Sequence, residues 1–403
     1  MKRLILVALL LIAACPRSQT TTTASCPNGE LMCVGKPILI TVEPSPSPAP
    51  TTTASPTPAP TPTPPAGACT GTTYYVSNQG QDSATGTSPE KAWQTLAQVE
   101  KAEGSLQPGN CVLLQAGGTW NEQLDINNVV GSASQPITFA AYGDGVAPVL
   151  DEKGQHDYCI DALNTKAKYL TLNGWTCQHA TLAGVTFQTG GGKMPGITVE
   201  NFTIQDTGPG CYNKTGACLG NDPGGYHNQL DFQDFQQGAD GVQFINNIVK
   251  WCGGHNCLQV HFDTGAVLIK GNIVGPGCVH TCLDAKGIGS KATHAVVTGN
   301  ISGCGDLCSQ NSAGFYSENV YNAPGSYIDL SNNTWSGPVG VQFCGGGCTK
   351  GSDCPIHATI TNDTYNGPGN YALYAKGNCM SPAATLTITE SGNSWDGASV
   401  IKP

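Results

Sequence analysis

Five segments of the chain end an apolar strand in Asn or Asp: Phe244-Ile-Asn-Asn247, Ile269-Lys-Gly-Asn272, Val297-Thr-Gly-Asn300, Leu330-Ser-Asn-Asn333 and Ile360-Thr-Asn-Asp363. Their spacings are 25, 28, 33 and 30 residues. That period suits one coil of a parallel β-helix, in which a coil cannot bury its own apolar face and stacking supplies a continuous core. A β-propeller blade needs about 40 residues and four strands, so the period disfavours it. The recurrent Asn is expected at a bend, where its side chain satisfies backbone groups and its backbone tolerates the left-handed region.

Composition agrees with an all-β reading. Only 11% of the 403 residues are charged, and 52 Gly and 27 Pro punctuate short runs such as Val242-Gln-Phe-Ile and Val267-Leu-Ile. Sustained helical apolar spacing is hard to find beyond the first residues. The net charge is −10 and Arg occurs only at positions 3 and 17, so nucleic acid is excluded as an expected partner. An anionic polysaccharide requires a bound divalent cation or a local Lys to reverse the sign.

Residues 1–15 pair a basic start with a short apolar stretch, an export signal too short to span a membrane. They end in Leu11-Ile-Ala-Ala-Cys15, which resembles a bacterial lipobox and predicts lipidation of Cys15. A short segment with Cys26 and Cys33 follows over 16–43, and then a Pro/Thr-rich tether over 44–68, expected to be extended. The folded domain is assigned to 69–403. The expectation is a secreted or cell-surface monomer, lipid-anchored to the bacterial envelope. Eighteen cysteines remain after Cys15, an even number in an exported chain, which predicts a disulfide framework rather than zinc sites. Cys26/Cys33, Cys211/Cys218, Cys252/Cys257, Cys278/Cys282, Cys304/Cys308 and Cys344/Cys348 are close in sequence, and the connectivity stays open.

The stretch Tyr74-Tyr-Val-Ser-Asn-Gln-Gly-Gln-Asp-Ser-Ala-Thr-Gly-Thr87 is followed by Ala92-Trp-Gln-Thr-Leu96, Leu106-Gln-Pro-Gly-Asn110, Gln115-Ala-Gly-Gly-Thr-Trp120 and Pro136-Ile-Thr-Phe-Ala-Ala-Tyr-Gly-Asp-Gly145. This series resembles the opening cassette of secreted bacterial right-handed parallel β-helix proteins, of which family nine polysaccharide lyases are the best-known enzymes. The resemblance covers roughly residues 73 to 151 and implies a single-stranded right-handed parallel β-helix, pectate-lyase-like and disulfide-rich. Activity follows less directly, because one fold carries many functions.

A second strand falls in each coil: Cys257–His261, Cys282–Lys286, Gly314–Glu318, Gly340–Cys344 and Ala372–Lys376. Strand alternation puts Leu258, Leu283, Phe315, Val341 and Leu373 inward. Two outward columns result, Gln259, Asp284, Tyr316, Gln342, Tyr374 and His261, Lys286, Glu318, Cys344, Lys376. One coil earlier, Asp231 and Gln233 enter the same frame. Cys308 offers a rival register near Gly314.

The patch formed by Asp231, His261, Asp284 and Lys286 carries the chemistry. Removing the proton beside a uronate carboxyl needs a base, a group that neutralises the carboxylate, and an acid. With no Arg in the domain, a Ca2+ ion held by Asp231, Asp240, Asp263 and Asp284 is the candidate neutraliser. Lys286 or His261 is the candidate base, and Tyr316, Glu318 and Gln259 the candidate substrate contacts. The resemblance to family nine lyases implies these same roles for Lys286 and the Asp, although the chain has no adjacent Asp-Asp-Gly pair. A Lys beside a carboxylate makes sense as a base when metal neutralises that carboxylate; otherwise the two read as an exposed ion pair worth under about 1 kcal/mol. Trp335, Tyr316 and Tyr374 are possible sugar platforms. The leading expectation is thus a calcium-assisted uronan lyase. The alternatives are a non-catalytic glycan-binding surface protein and an inverting hydrolase using two carboxylates such as Asp231 and Asp284.

Overall fold

The computed structural model describes residues 69–189, 193–213, 228–233, 241–261, 265–278, 281–303, 313–318, 326–344, 354–367, 371–375 and 384–401. The export signal, Cys15, segment 16–43, the tether, Asp240, Asp263 and Lys376 lie outside them, as do the pairs Cys26/Cys33 and Cys304/Cys308.

The chain winds as a right-handed parallel β-helix. Among the described residues its strands fall into three sheets of 11, 10 and 9 strands. One coil shows the order: Leu170–Asn173 lies on the eleven-stranded sheet, Thr176–Gln178 on the nine-stranded sheet and Ala183–Thr189 on the ten-stranded sheet, before Ile197–Glu200 rejoins the first. Each strand pairs in parallel with the one a coil away, as in Ile197↔Leu170 and Thr198↔Gln243. Inward side chains of all three sheets make one core, with Phe139, Trp175, Phe202, Phe244, Phe315 and Trp335 fully buried.

The Asn-ended strands form a ladder. Asn247 N–H donates to Asn272 Oδ1, Asn272 N–H to Asn300 Oδ1, Asn300 N–H to Asn333 Oδ1 and Asn333 N–H to Asp363 Oδ1, each at 2.9 Å. The amide groups reach the other way, Asn272 Nδ2 to the Phe244 carbonyl at 2.8 Å and Asn300 Nδ2 to that of Ile269 at 2.9 Å. The left-handed residue is the one before: Asn246, Gly271, Gly299, Asn332 and Asn362 have φ between 55° and 66°. The expected bend is therefore shared by two positions, one turning the chain and the next sealing the backbone groups the turn leaves open.

The α-helix Leu96–Ala102 interrupts the all-β pattern; Thr95 caps its N-terminus by accepting from Gln98 N–H, and Leu96 and Val99 are buried in the core. Disulfides join Cys252 to Cys257 and Cys278 to Cys282 as their spacing suggested. Two more, Cys69–Cys111 and Cys159–Cys177, link residues far apart in sequence but adjacent in space. Cys211 and Cys344 are also disulfide-bonded, and their expected partners, Cys218 and Cys348, lie outside the described residues.

Candidate functional site

The ten-stranded sheet holds the expected patch in the expected register. Asp231 pairs with Gln259, Gln259 with Asp284, Asp284 with Tyr316, Tyr316 with Gln342 and Gln342 with Tyr374. The second column aligns Gln233 with His261 and His261 with Lys286. The Asp284↔Tyr316 pairing fixes the register near Gly314. Leu258, Leu283, Phe315, Val341 and Leu373 are all in the core.

The patch is not wet. Asp231 is 4% exposed, Asp284 1%, and the Lys286 side chain 14%. Alternation fixes which way a side chain points, while the amides of Asn256, Gln259 and Gln233 fill the space between the charges. Asn256 Nδ2 donates to Gln259 Oε1 at 3.0 Å and to Asp284 Oδ2 at 2.9 Å. Gln259 Nε2 donates to Asp231 Oδ1 at 2.9 Å, and Gln233 Nε2 to Asp231 Oδ2 at 2.8 Å. Gln259, expected as a substrate contact, thus bonds Asp231 directly and meets Asp284 through Asn256. His261 Nε2 and Lys286 Nζ each stand 3.3 Å from Asp284 Oδ2. The Asp284–Lys286 pair is accordingly a buried one, not the exposed pair expected without metal. Tyr316 holds the Lys286 ammonium over its ring at 5.3 Å. Glu318 ends the strand Ala313–Glu318, but its side chain lies outside the described residues. Trp335 is no sugar platform: it is buried and donates through Nε1 to Asp363 Oδ2 at 2.8 Å.

The two carboxylates differ in charge preference. Burial pushes the Asp231 carboxyl up to about 7, with the nearby Asp284 charge adding to the rise against the amides that donate to it. Burial also opposes ionisation of Asp284, but Lys286 and His261 outweigh it and hold that carboxyl below its usual range. Asp284 Oδ1 is buried and meets no donor among the described residues.

Among the described residues, this donor set does not fit a calcium ion. Asp231 and Asp284 are two rungs apart, both Asp231 oxygens accept from amides, and an ammonium already sits on Asp284. Calcium requires six to eight converging oxygens. Asp240 and Asp263, the other two expected ligands, lie outside the described residues.

On the N-terminal side the same column continues. Asp231 pairs with Thr186, Thr186 with Asp161 and Asp161 with Asp125. Two cavities open along it. One of about 200 Å3 is lined by Tyr158, Thr186, Gln188, Asn228, Asp231 and Gln233 among others. The other, of about 280 Å3, is lined by Gln123, His156, Asp157, Tyr158 and Asp161. Tyr158 lines both, so they adjoin. Sequence reading stopped the column at Asp231, yet a signal existed: Cys159-Ile-Asp-Ala162 repeats the pattern of Cys282-Leu-Asp-Ala285, and Asp161 and Asp284 occupy one column.

No protein-family model matches the chain. Over 109 residues it is 39% identical to a lacto-N-biosidase of Bifidobacterium longum subsp. longum; the match takes in 25% of this chain and 7% of that protein's length. Among solved structures, an alginate lyase from Paenibacillus sp. str. FPU-7 is similar at 17% identity and a TM-score of 0.47, covering 74% of this chain and 97% of that one. The pectate lyase Pel9A is 14% identical with a TM-score of 0.47, covering 82% of each chain. A GH136 lacto-N-biosidase from Eubacterium ramulus is 16% identical with a TM-score of 0.36, covering 79% of this chain and 68% of that one.

Proposed function

We propose that the protein is an exported, lipid-anchored glycan-cleaving β-helix in which Asp231 is the proton donor to the leaving oxygen. The observation that carries this reading is a carboxyl 4% exposed, raised to about 7 and lining a cavity. A group with those properties keeps its proton near neutrality and delivers it to a bound acetal oxygen. Asp284, Lys286 and His261 act from behind: the Asp284 charge helps keep Asp231 protonated, and its two cationic partners hold that charge in place. Gln259 and Gln233 orient the Asp231 carboxyl.

The partial sequence likeness to a lacto-N-biosidase accords with a glycoside as substrate. The other reading, elimination from a uronan with Lys286 or His261 as base and calcium as neutraliser, leaves a different product. Purified protein is incubated with uncharged polysaccharides, alginate and polygalacturonate, with and without EDTA. New reducing ends without unsaturated ends, indifferent to EDTA, are expected. Ultraviolet-absorbing unsaturated product that disappears with EDTA would replace this reading by the lyase, and binding without turnover would replace it by a glycan-binding protein.

A further inference from the structure

We infer that Asp161 is the second catalytic carboxylate, the base that activates water across Thr186 from Asp231, and that the bond cleaved belongs to an uncharged glycan. This rests on Asp231 being the acid, as proposed above, and it assigns a partner other than Asp284.

Two carboxylates stand two rungs from Asp231 on its column, Asp161 on one side and Asp284 on the other. At about 4.8 Å per rung, each lies roughly 10 Å away along the sheet. That separation is near the roughly 6.5–9.5 Å between carboxyl groups that leaves room for water beside a glycosidic bond. What lies between differs. Gln259 fills the Asp284 side and bonds Asp231 directly, and Asp284 itself is 1% exposed. Thr186, a short side chain, fills the Asp161 side, and there the two cavities open, one lined by Asp231 and the other by Asp161. Substrate and water reach the Asp161 side.

The chemistry balances. Asp161 takes a proton from water, and the water oxygen bonds to the anomeric carbon. The carbon–oxygen bond to the leaving sugar breaks, and Asp231 gives its proton to that oxygen. One water is consumed, the anomeric configuration inverts, and the two carboxyls return to their starting states by exchange with solvent. Asp161 suits a base: burial raises it, a backbone N–H from Leu163 at 2.8 Å opposes the rise, and Asp125 and Asp157 add to it.

The lining also selects the substrate. Among the described residues, neither cavity presents Lys or Arg, whereas Asp157, Asp161 and Asp231 all do line them. Tyr158, between the cavities, is pushed up to about 12 by burial and by these three carboxylates, so its phenol stays a donor. His156 is bonded through Nδ1 to buried Glu152 at 2.6 Å. A uronate ring there would meet like charge without a counter-ion, and an uncharged sugar meets hydroxyl and amide partners.

The test uses the full chain and three variants, Asp161→Ala, Asp161→Asn and Asp329→Asn, the last a half-buried carboxylate on another sheet. Xylan, glucomannan, glycol chitin, alginate, polygalacturonate and glycol chitosan are the probes, read by reducing ends and by proton NMR of the first anomer released. At least one uncharged probe is expected to be cleaved with inversion, with loss of about 10²–10⁴-fold in both Asp161 variants and none in Asp329→Asn. Added azide is expected to restore turnover of Asp161→Ala as a glycosyl azide of inverted configuration, which a merely structural role for Asp161 would not produce. Retention of configuration, full activity in both Asp161 variants, or cleavage confined to alginate, polygalacturonate or chitosan would overturn the inference while leaving Asp231 to be judged separately. If wild type cleaves nothing, both fall.

Discussion

At the residue scale, the organising fact is that two carboxyls two rungs apart on one column have opposite charge preferences. Folded Asp231 holds its proton to about 7, whereas its ordinary value is 3.8. Between those values the folded chain binds more protons than the unfolded one, so this group's contribution to stability falls as pH rises and levels off above about 7. Asp231→Asn removes that burden while keeping the amide-sized shape. Urea unfolding at about pH 8 is expected to show the variant more stable than wild type by on the order of 2–4 kcal/mol, with little difference near pH 4. Asp284 has the opposite sign: its depressed carboxyl stabilises above the unfolded value, and this is lost as pH falls through the folded value. Lys286→Met leaves a buried carboxylate short of a partner and is expected to cost roughly 3–5 kcal/mol at neutral pH in the same assay. The direction each of these side chains points was legible from strand alternation around Cys282-Leu-Asp-Ala-Lys286. Their burial was not, because it depends on Asn256 and Gln259 filling the gaps from neighbouring rungs, and alternation is silent on what covers a face.

At the element scale, the Asn ladder carries the coil. Asn300 is fully buried, accepts from Asn272 N–H and donates to the Ile269 carbonyl. Asn300→Ala leaves both backbone groups buried without that partner and is expected to cost about 2–4 kcal/mol in a denaturant titration. The spacing made this ladder visible in sequence as far as Asp363, where a carboxyl stands in place of the amide; the structure carries it one coil further, Asp363 N–H donating to Asn393 Oδ1 at 2.9 Å. Burial raises Asp363 to about 6, and its Oδ2 accepts from Trp335 Nε1 at 2.8 Å where an amide would donate. The rung period also sorts the cysteines only in part. Short-loop pairs such as Cys278–Cys282 were legible, whereas Cys69–Cys111 joins positions 42 apart that meet because Thr73 pairs with Cys111 across the first two coils. Chain entropy assigns the longer loop roughly 4 kcal/mol and the shorter roughly 2. Replacing Cys69 and Cys111 by Ser is therefore expected to lower the unfolding midpoint more than the same change at Cys278 and Cys282.

At the scale of the whole molecule, several buried acids share the sign of Asp231. Glu103 is raised to about 7, Glu152 to about 8 and Asp363 to about 6, each chiefly by burial. Each holds more protons folded than unfolded, so stability is expected to decline from about pH 5 to about pH 8, read as a falling urea midpoint. A stack of coils lines up equivalent positions on one face, and one column of the site sheet carries Asp125, Asp161, Asp231 and Asp284, one, two and two rungs apart. The parallel β-helix was legible from the period and its right hand from the resemblance of the opening segment, but the extent of the site was not. The long connection between Thr186 and Asp231 hides their adjacency, which only the pairing of those strands restores. The most direct test of the account is the rate at which Asp231→Asn cleaves a wild-type substrate glycan, measured beside wild type with reducing and unsaturated ends both counted. The account predicts saturated products from wild type, activity falling as pH rises through about 7, and a loss of about 10²–10⁴-fold in the variant. Unchanged cleavage by Asp231→Asn, or unsaturated product from wild type, would contradict it.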